Sequence, residues 1–206
     1  MKIHIKYIMP LSRKIPRDLD NPFDNILIDI VEWMNPYFKR LHFTPNGITT
    51  LSLIFGIIFN IAFYKNYYIF AALSILISYY FDCMDGNYAR TYDMQSRFGD
   101  FYDHIKDWTV FIIFIIIFFT KTTSLKFKLI CIIVLIIVCL GTILHTGCTE
   151  EYIRKKRKNI VNSIALDSVS FCPNMETMRW TKYFGCGTLN ITIAVIVLLH
   201  YKMVKK

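Results

Sequence analysis

The chain predicts an all-α fold: a polytopic helical membrane protein with five or six transmembrane helices and an N-terminal amphipathic interfacial helix. Three observations carry this. The 206 residues are 54% hydrophobic with a mean hydropathy of +0.39, too apolar for an ordinary soluble domain. Apolar stretches long enough to cross a bilayer recur, since roughly 20 residues at 1.5 Å rise span the hydrocarbon core. Basic residues gather at the ends of those stretches, where topology and anionic headgroups account for the formal net charge of +9. That distribution argues against a nucleic-acid partner.

Residues 1–20 read as a flexible basic arm without the apolar core of a signal peptide. Residues 21–206 form the membrane domain, divided into an interfacial helix (21–44) and a transmembrane bundle (45–206). Asn21 is a helix cap with Pro22 at the first position and Asp24 in the first turn. Phe23, Ile26, Leu27, Ile30, Val31 and Met34 then recur at helical spacing, and Trp33, Tyr37, Lys39 and Arg40 mark headgroup depth. The segment 22–40 is therefore expected to lie on the membrane.

Five crossings follow, at about 46–64, 67–80, 99–120, 129–144 and 185–201. The second runs directly into an acidic motif, and the third holds Asp100, Asp103, Lys106 and Asp107 before becoming wholly apolar. A sixth crossing fits 160–184 only as a short or re-entrant piece, because Asn162, Asp167, Asn174, Glu176, Arg179 and Lys182 interrupt it. Lys and Arg divide sixteen to seven in favour of the motif's side, which places the motif on the cytoplasmic face. In a eukaryotic host that is an endoplasmic-reticulum-type membrane, and in a bacterium the inner membrane. In five spans the basic tail from Lys202 falls on the opposite side; a sixth crossing would remove the conflict. The six cysteines read as reduced or buried thiols. Cys131 and Cys139 lie in an apolar span, and the spacing of Cys148, Cys172 and Cys186 matches no common zinc pattern.

The chemistry concentrates in Asp82-Cys-Met-Asp85-Gly86-Asn-Tyr-Ala89-Arg90, followed by Gly99, Asp103 and Asp107. A carboxylate at membrane depth costs roughly 2.5 kcal/mol or more unpaired, so such a cluster signals a function. Asp82, Asp85 and Ala89 share one helical face, and Gly99, Asp103 and Asp107 step by four down the next helix. Side by side, the two faces bring four carboxylates into one cleft. Hard oxygen ligands in that number suit Mg²⁺ or Mn²⁺, with two ions expected. Gly86, Ala89 and Gly99 remove bulk where a phosphate-bearing ligand would approach the backbone. Arg90 neutralises a phosphate or a carboxylate. Metals, a cation and a spare carboxylate make a site for phosphoryl-type transfer. Asp93 and Asp100 fit turn and cap roles.

Written out, D-x2-D-G-x2-A-R-x8-G-x3-D-x3-D runs from Asp82 to Asp107 and resembles the signature of the CDP-alcohol phosphatidyltransferases at every specified position. Pro45-Asn46-Gly-Ile-Thr49 at the head of the first span is similar to that family's Pro-Asn-x-x-Thr, so the likeness covers about residues 21–147. The resemblance implies a phospholipid-synthesis enzyme that transfers a substituted phosphate from a CDP-linked donor, CDP-diacylglycerol or a CDP-aminoalcohol, to an alcohol acceptor with release of CMP. By carry-over, Asp82, Asp85, Asp103 and Asp107 hold the divalent metals and Asp107 is also the general base. Gly86, Ala89, Arg90 and Gly99 contact the CDP group, with Asn46 and Thr49 nearby. The resemblance also implies a homodimer. His104 after Asp103 is similar to the Asp-His pair of the choline and ethanolamine phosphotransferases, whereas the chain's length is nearer that of enzymes using CDP-diacylglycerol. Two other readings of the acidic cluster are a divalent-cation transporter or channel, and an inactive family member acting as a partner.

Overall fold

The computed structural model describes residues 12–156, 172, 174 and 176–204, and among these there is no strand. The helices are α1 Pro22–Arg40, α2 Pro45–Tyr64, α3 Tyr68–Thr91, α4 Arg97–Lys121, α5 Leu125–Lys156, the short α6 Thr177–Thr181 with a 3-10 turn Lys182–Phe184, and α7 Cys186–Val204. Three of the starts carry a side-chain cap. The Asn21 side chain accepts hydrogen bonds from the Phe23 and Asp24 N–H groups, Thr44 Oγ1 from Gly47 N, and Ser96 Oγ from Gly99 N. Pro22 and Pro45 occupy first-turn positions, where a missing N–H costs nothing. Asn66 and Asp93 take left-handed backbone angles in the turns after α2 and α3, a conformation their short polar side chains tolerate.

Among the described residues, four segments are long and apolar enough to cross a membrane: Pro45–Tyr64, Tyr68–Thr91, Leu125–Lys155 and Thr177–Val204. Helix α4 is as long, but the charges in its first half hold it below the same standard of apolarity. A sixth crossing in 160–184 falls mostly outside the described residues; within that range, 177–184 form only α6 and the 3-10 turn. The basic stretch Arg154–Lys158 likewise leaves the described residues after Lys156.

Helix α3 is the hub, packed on α1, α2 and α7, and α2 also meets α4. Close approach of α2 and α3 rests on small polar residues. Ser52 Oγ donates to the Ser78 carbonyl at 2.9 Å and Ser78 Oγ to the Ser52 carbonyl at 2.8 Å, satisfying both hydroxyls without water. The main core lies toward the end of the bundle away from the motif, where Phe59, Phe63, Phe114 and Phe118 are fully buried. Their ring centroids stand 5.4–6.5 Å apart, within aromatic contact. Lys121 closes that end by donating to the Phe63 and Tyr64 carbonyls at the end of α2. Ile112, Ile116, Leu129, Ile133, Ile136 and Leu140 point outward, as lipid-facing residues do.

Two expectations need correction. Of the arm expected over residues 1–20, residues 1–11 lie outside the described residues, and residues 12–20 are docked: Arg13 bonds Asn25 at 2.8 Å and Asp29 at 2.6 Å, and Ile15 is buried against Cys148, Tyr152 and Met178. The acidic outer side of α1 supplies the partners that fix these basic residues. The cysteines are not all thiols, since Cys148 and Cys172 form a disulfide across a Cα–Cα distance of 4.7 Å. The pairing closes a separation of 24 residues and depends on where the chain returns to α5, which spacing does not encode.

Candidate active site

Three helices supply the site. The last turns of α3 carry Asp82, Asp85, Gly86, Ala89 and Arg90; the first turns of α4 carry Gly99, Asp103, Lys106 and Asp107; the first turns of α2 carry Asn46 and Thr49. All ten sequence-predicted site residues line one cavity of about 370 Å³: Asn46, Thr49, Asp82, Asp85, Gly86, Ala89, Arg90, Gly99, Asp103 and Asp107. Asp100 and His104 stand on the same wall, His104 Nδ1 lying 2.6 Å from the Asp100 carbonyl. Asp93 is absent from the lining and serves the turn after α3.

The carboxylates differ in environment. Asp85 is buried and accepts a 2.6 Å hydrogen bond from Thr49 Oγ1, which orients it toward the cleft. Asp82, Asp85 and Asp103 each offer an oxygen, and these oxygens lie within 4.8 Å of one another. Asp107 stands outside that trio with its side chain 58% exposed, the most accessible of the four. Three hard oxygen donors converging at that spacing fit a divalent cation of the Mg²⁺ or Mn²⁺ type. Asp103 Oδ1 adds to the fit: it is enclosed and lacks a hydrogen bond of good geometry, although an ammonium lies 2.9 Å away.

That ammonium belongs to Lys106, a feature the sequence reading left among the charges of α4. Its side chain is 1% exposed, and Nζ pairs with Asp82, with Asp103 at 2.9 Å and with Asp107 at 2.9 Å, while Ser52 Oγ lies at 3.1 Å. The one available signal was its register, three residues after Asp103 and one before Asp107. Other features were equally unread. Asn87, inside the motif, is fully buried between Asn35 Nδ2 at 2.7 Å and the Ser12 carbonyl, to which its Nδ2 donates at 3.2 Å. Arg90 Nε donates to the same carbonyl at 2.8 Å, so the docked arm orients the motif's arginine.

The glycines act through space. A Cβ on Gly99 would come within 2.9 Å of Asn46 Oδ1, so the bare backbone lets α2 and α4 converge at the cleft mouth. At Gly86 a Cβ would meet only the flexible end of Arg90. Away from the aspartates the cavity extends past Tyr79, Cys83, His145, Thr149 and Cys186 to Asp20 and Asp24 near the start of α1. Burial raises both carboxyls, and Asp24 reaches about 7 despite the 2.7 Å bond from the Tyr79 hydroxyl, which opposes the shift.

With a dication held by Asp82, Asp85 and Asp103, the arrangement would present positive charge to a phosphate-bearing ligand and leave Asp107 as an accessible carboxylate. No curated protein and no solved structure matches the chain. The family model for CDP-alcohol phosphatidyltransferase matches residues 42–204, which takes in α2 to α7 and every motif position. With that span covering most of its length, the chain belongs to the CDP-alcohol phosphatidyltransferase family, a family of transferases.

Proposed function

We propose that the chain is an integral-membrane enzyme of phospholipid synthesis that transfers a substituted phosphate from a CDP-linked donor to an alcohol, releasing CMP. The observation that supports it best is the convergence of all eight motif positions on one cavity at the ends of α3 and α4. Asp82, Asp85 and Asp103 would hold Mg²⁺ or Mn²⁺, with Asp107 beside them. A bound dication supplies charge stabilisation at the phosphates and makes a nearby hydroxyl more acidic. Asp107, the accessible carboxylate, takes the acceptor's proton as the alcohol oxygen bonds to the phosphorus that carries the donor's alcohol group. The phosphoanhydride bond to the cytidylyl phosphate breaks, and CMP leaves with that electron pair. Thr49 fixes Asp85, Gly86 and Ala89 leave room for the nucleotide, and Arg90 faces its phosphates. The exposed apolar side of α1, with Ile26, Ile30, Trp33 and Tyr37 at helical spacing, supports a position on the lipid surface. The cytoplasmic orientation and a homodimer complete the reading.

The test uses protein purified in detergent with Mn²⁺, either CDP-diacylglycerol or CDP-choline, and a panel of alcohols, with CMP as the readout. CMP released with one donor and acceptor pair is expected. Asp107→Asn should abolish turnover by at least 10²-fold, the usual scale of general-base catalysis, while CDP-dependent thermal stabilisation survives. Loss of both together overturns the base assignment. Mg²⁺ flux into liposomes without CMP release from any pair favours a cation transporter instead.

A further inference from the structure

Lys106 is more deeply buried than any of the four aspartates around it. Overall it is 3% exposed, and its side chain is 1% exposed against 20%, 29% and 58% for Asp82, Asp103 and Asp107. An ammonium carries three N–H donors and no acceptor; here it hydrogen-bonds Ser52 on α2 and Asp82 on α3 and ion-pairs with Asp103 and Asp107 on α4, so groups from three helices surround it. A lysine removed from water to this degree persists only where fixed negative charge replaces its hydration. The site therefore has two cation positions that share two carboxylates. One lies among Asp82, Asp85 and Asp103, whose oxygens converge. The other lies among Asp82, Asp103 and Asp107, and Nζ stands in it.

We propose that Lys106 is a tethered cation that takes the second of these positions, so that the chain binds a single divalent ion, between Asp82, Asp85 and Asp103. Charge favours the arrangement. Four carboxylates and one ammonium sum to minus three, which one dication reduces to minus one. Two dications would leave the site at plus one and force the ammonium against both ions at close range. Ser52 positions Nζ from the α2 side, so the tether is built into the packing of three helices. The ammonium also neutralises part of the cluster when no metal is bound, which makes the fold less dependent on metal than four bare aspartates would be. This proposal rests on the metal-dependent reading above, and the experiment separates the two.

Chelator-stripped protein in detergent is titrated with Mn²⁺, bound ion being counted from the loss of the free Mn²⁺ electron paramagnetic resonance signal. Wild type should saturate at one ion per chain, Lys106→Arg at one, and Lys106→Met at two. Thermal melting gives a readout independent of stoichiometry. Chelator should lower the wild-type midpoint by less than it lowers that of Lys106→Met, with Mn²⁺ restoring both. Two ions in wild type overturn the tethered cation and leave the metal reading intact, even if Lys106→Met fails to fold. One ion in both wild type and Lys106→Met also overturns it. No Mn²⁺ bound by any of the three overturns the metal reading and this inference with it.

Discussion

Asp24 shows how a single carboxyl is set by the elements that close over it. It lies in the first turn of α1, where a negative charge suits the helix N-terminus, yet burial against α3 and α7 raises its pKa to about 7. The Tyr79 hydroxyl donates to it at 2.7 Å, which lessens the shift without cancelling it. The folded state therefore keeps a proton that the unfolded chain releases near 3.8. Stability attached to this group is fully present below about pH 4 and is lost as the pH rises through 7, a slope on the order of a few kcal/mol in total. Thermal melting in detergent at pH 4 to 8 should show that decline in wild type, and Asp24→Asn should flatten it. A variant whose decline matches wild type assigns the slope to another group. The motif aspartates were legible because their spacing repeats on two helices. Lys106 was not, because a lysine at the head of an apolar helix has the same signature whether it reaches lipid headgroups or a carboxylate cluster.

Among the helices, the boundaries that carry explicit chemistry were the readable ones. Asn21-Pro22 and Thr44-Pro45 open α1 and α2 as side-chain caps with first-turn prolines. The second crossing, expected to run directly into a helical motif, does so as one continuous helix to Thr91, with Asp82, Asp85 and Ala89 in its last turns. Harder to read were the contacts that set helix separation. Gly56 sits inside an apolar run and carries no turn signal, yet a Cβ there would lie 2.6 Å from Val110 Cγ2 and 3.2 Å from Cγ1. Val110 is β-branched and cannot swing aside cheaply. Gly56→Ala should destabilise by about 1–3 kcal/mol, the scale of overpacking, and spread α4 from α2, carrying Asp103 and Asp107 away from Asp85. Adding Val110→Ala should restore most of the melting temperature and of the CMP-releasing activity. Strictly additive losses in the double variant would show that the two positions do not compete for the same space.

At the scale of the whole molecule, two physical signals pull against each other. The excess of Lys and Arg on the motif's side argues for a cytoplasmic face, whereas the Cys148–Cys172 disulfide on the arm-packed end of α5 is of a kind that persists in an oxidising compartment. Charge counting acts during insertion and sums over the entire chain, while one cystine reports only local proximity of two sulfurs, so the charge asymmetry is the stronger guide to orientation. The consequence is testable at two exposed turns on opposite ends of the bundle: Tyr67, between α2 and α3, and Gln95, between α3 and α4. In intact bacterial cells expressing the chain, a membrane-impermeant maleimide should label Tyr67→Cys but not Gln95→Cys, and permeabilising the cells should expose the second. Cys186, which opens onto the cavity, should follow Gln95→Cys, becoming reactive only after permeabilisation. Labelling of Gln95→Cys in intact cells would invert the topology, put the proposed nucleotide-binding cleft outside the compartment that holds CDP-linked donors, and make the disulfide the correct guide.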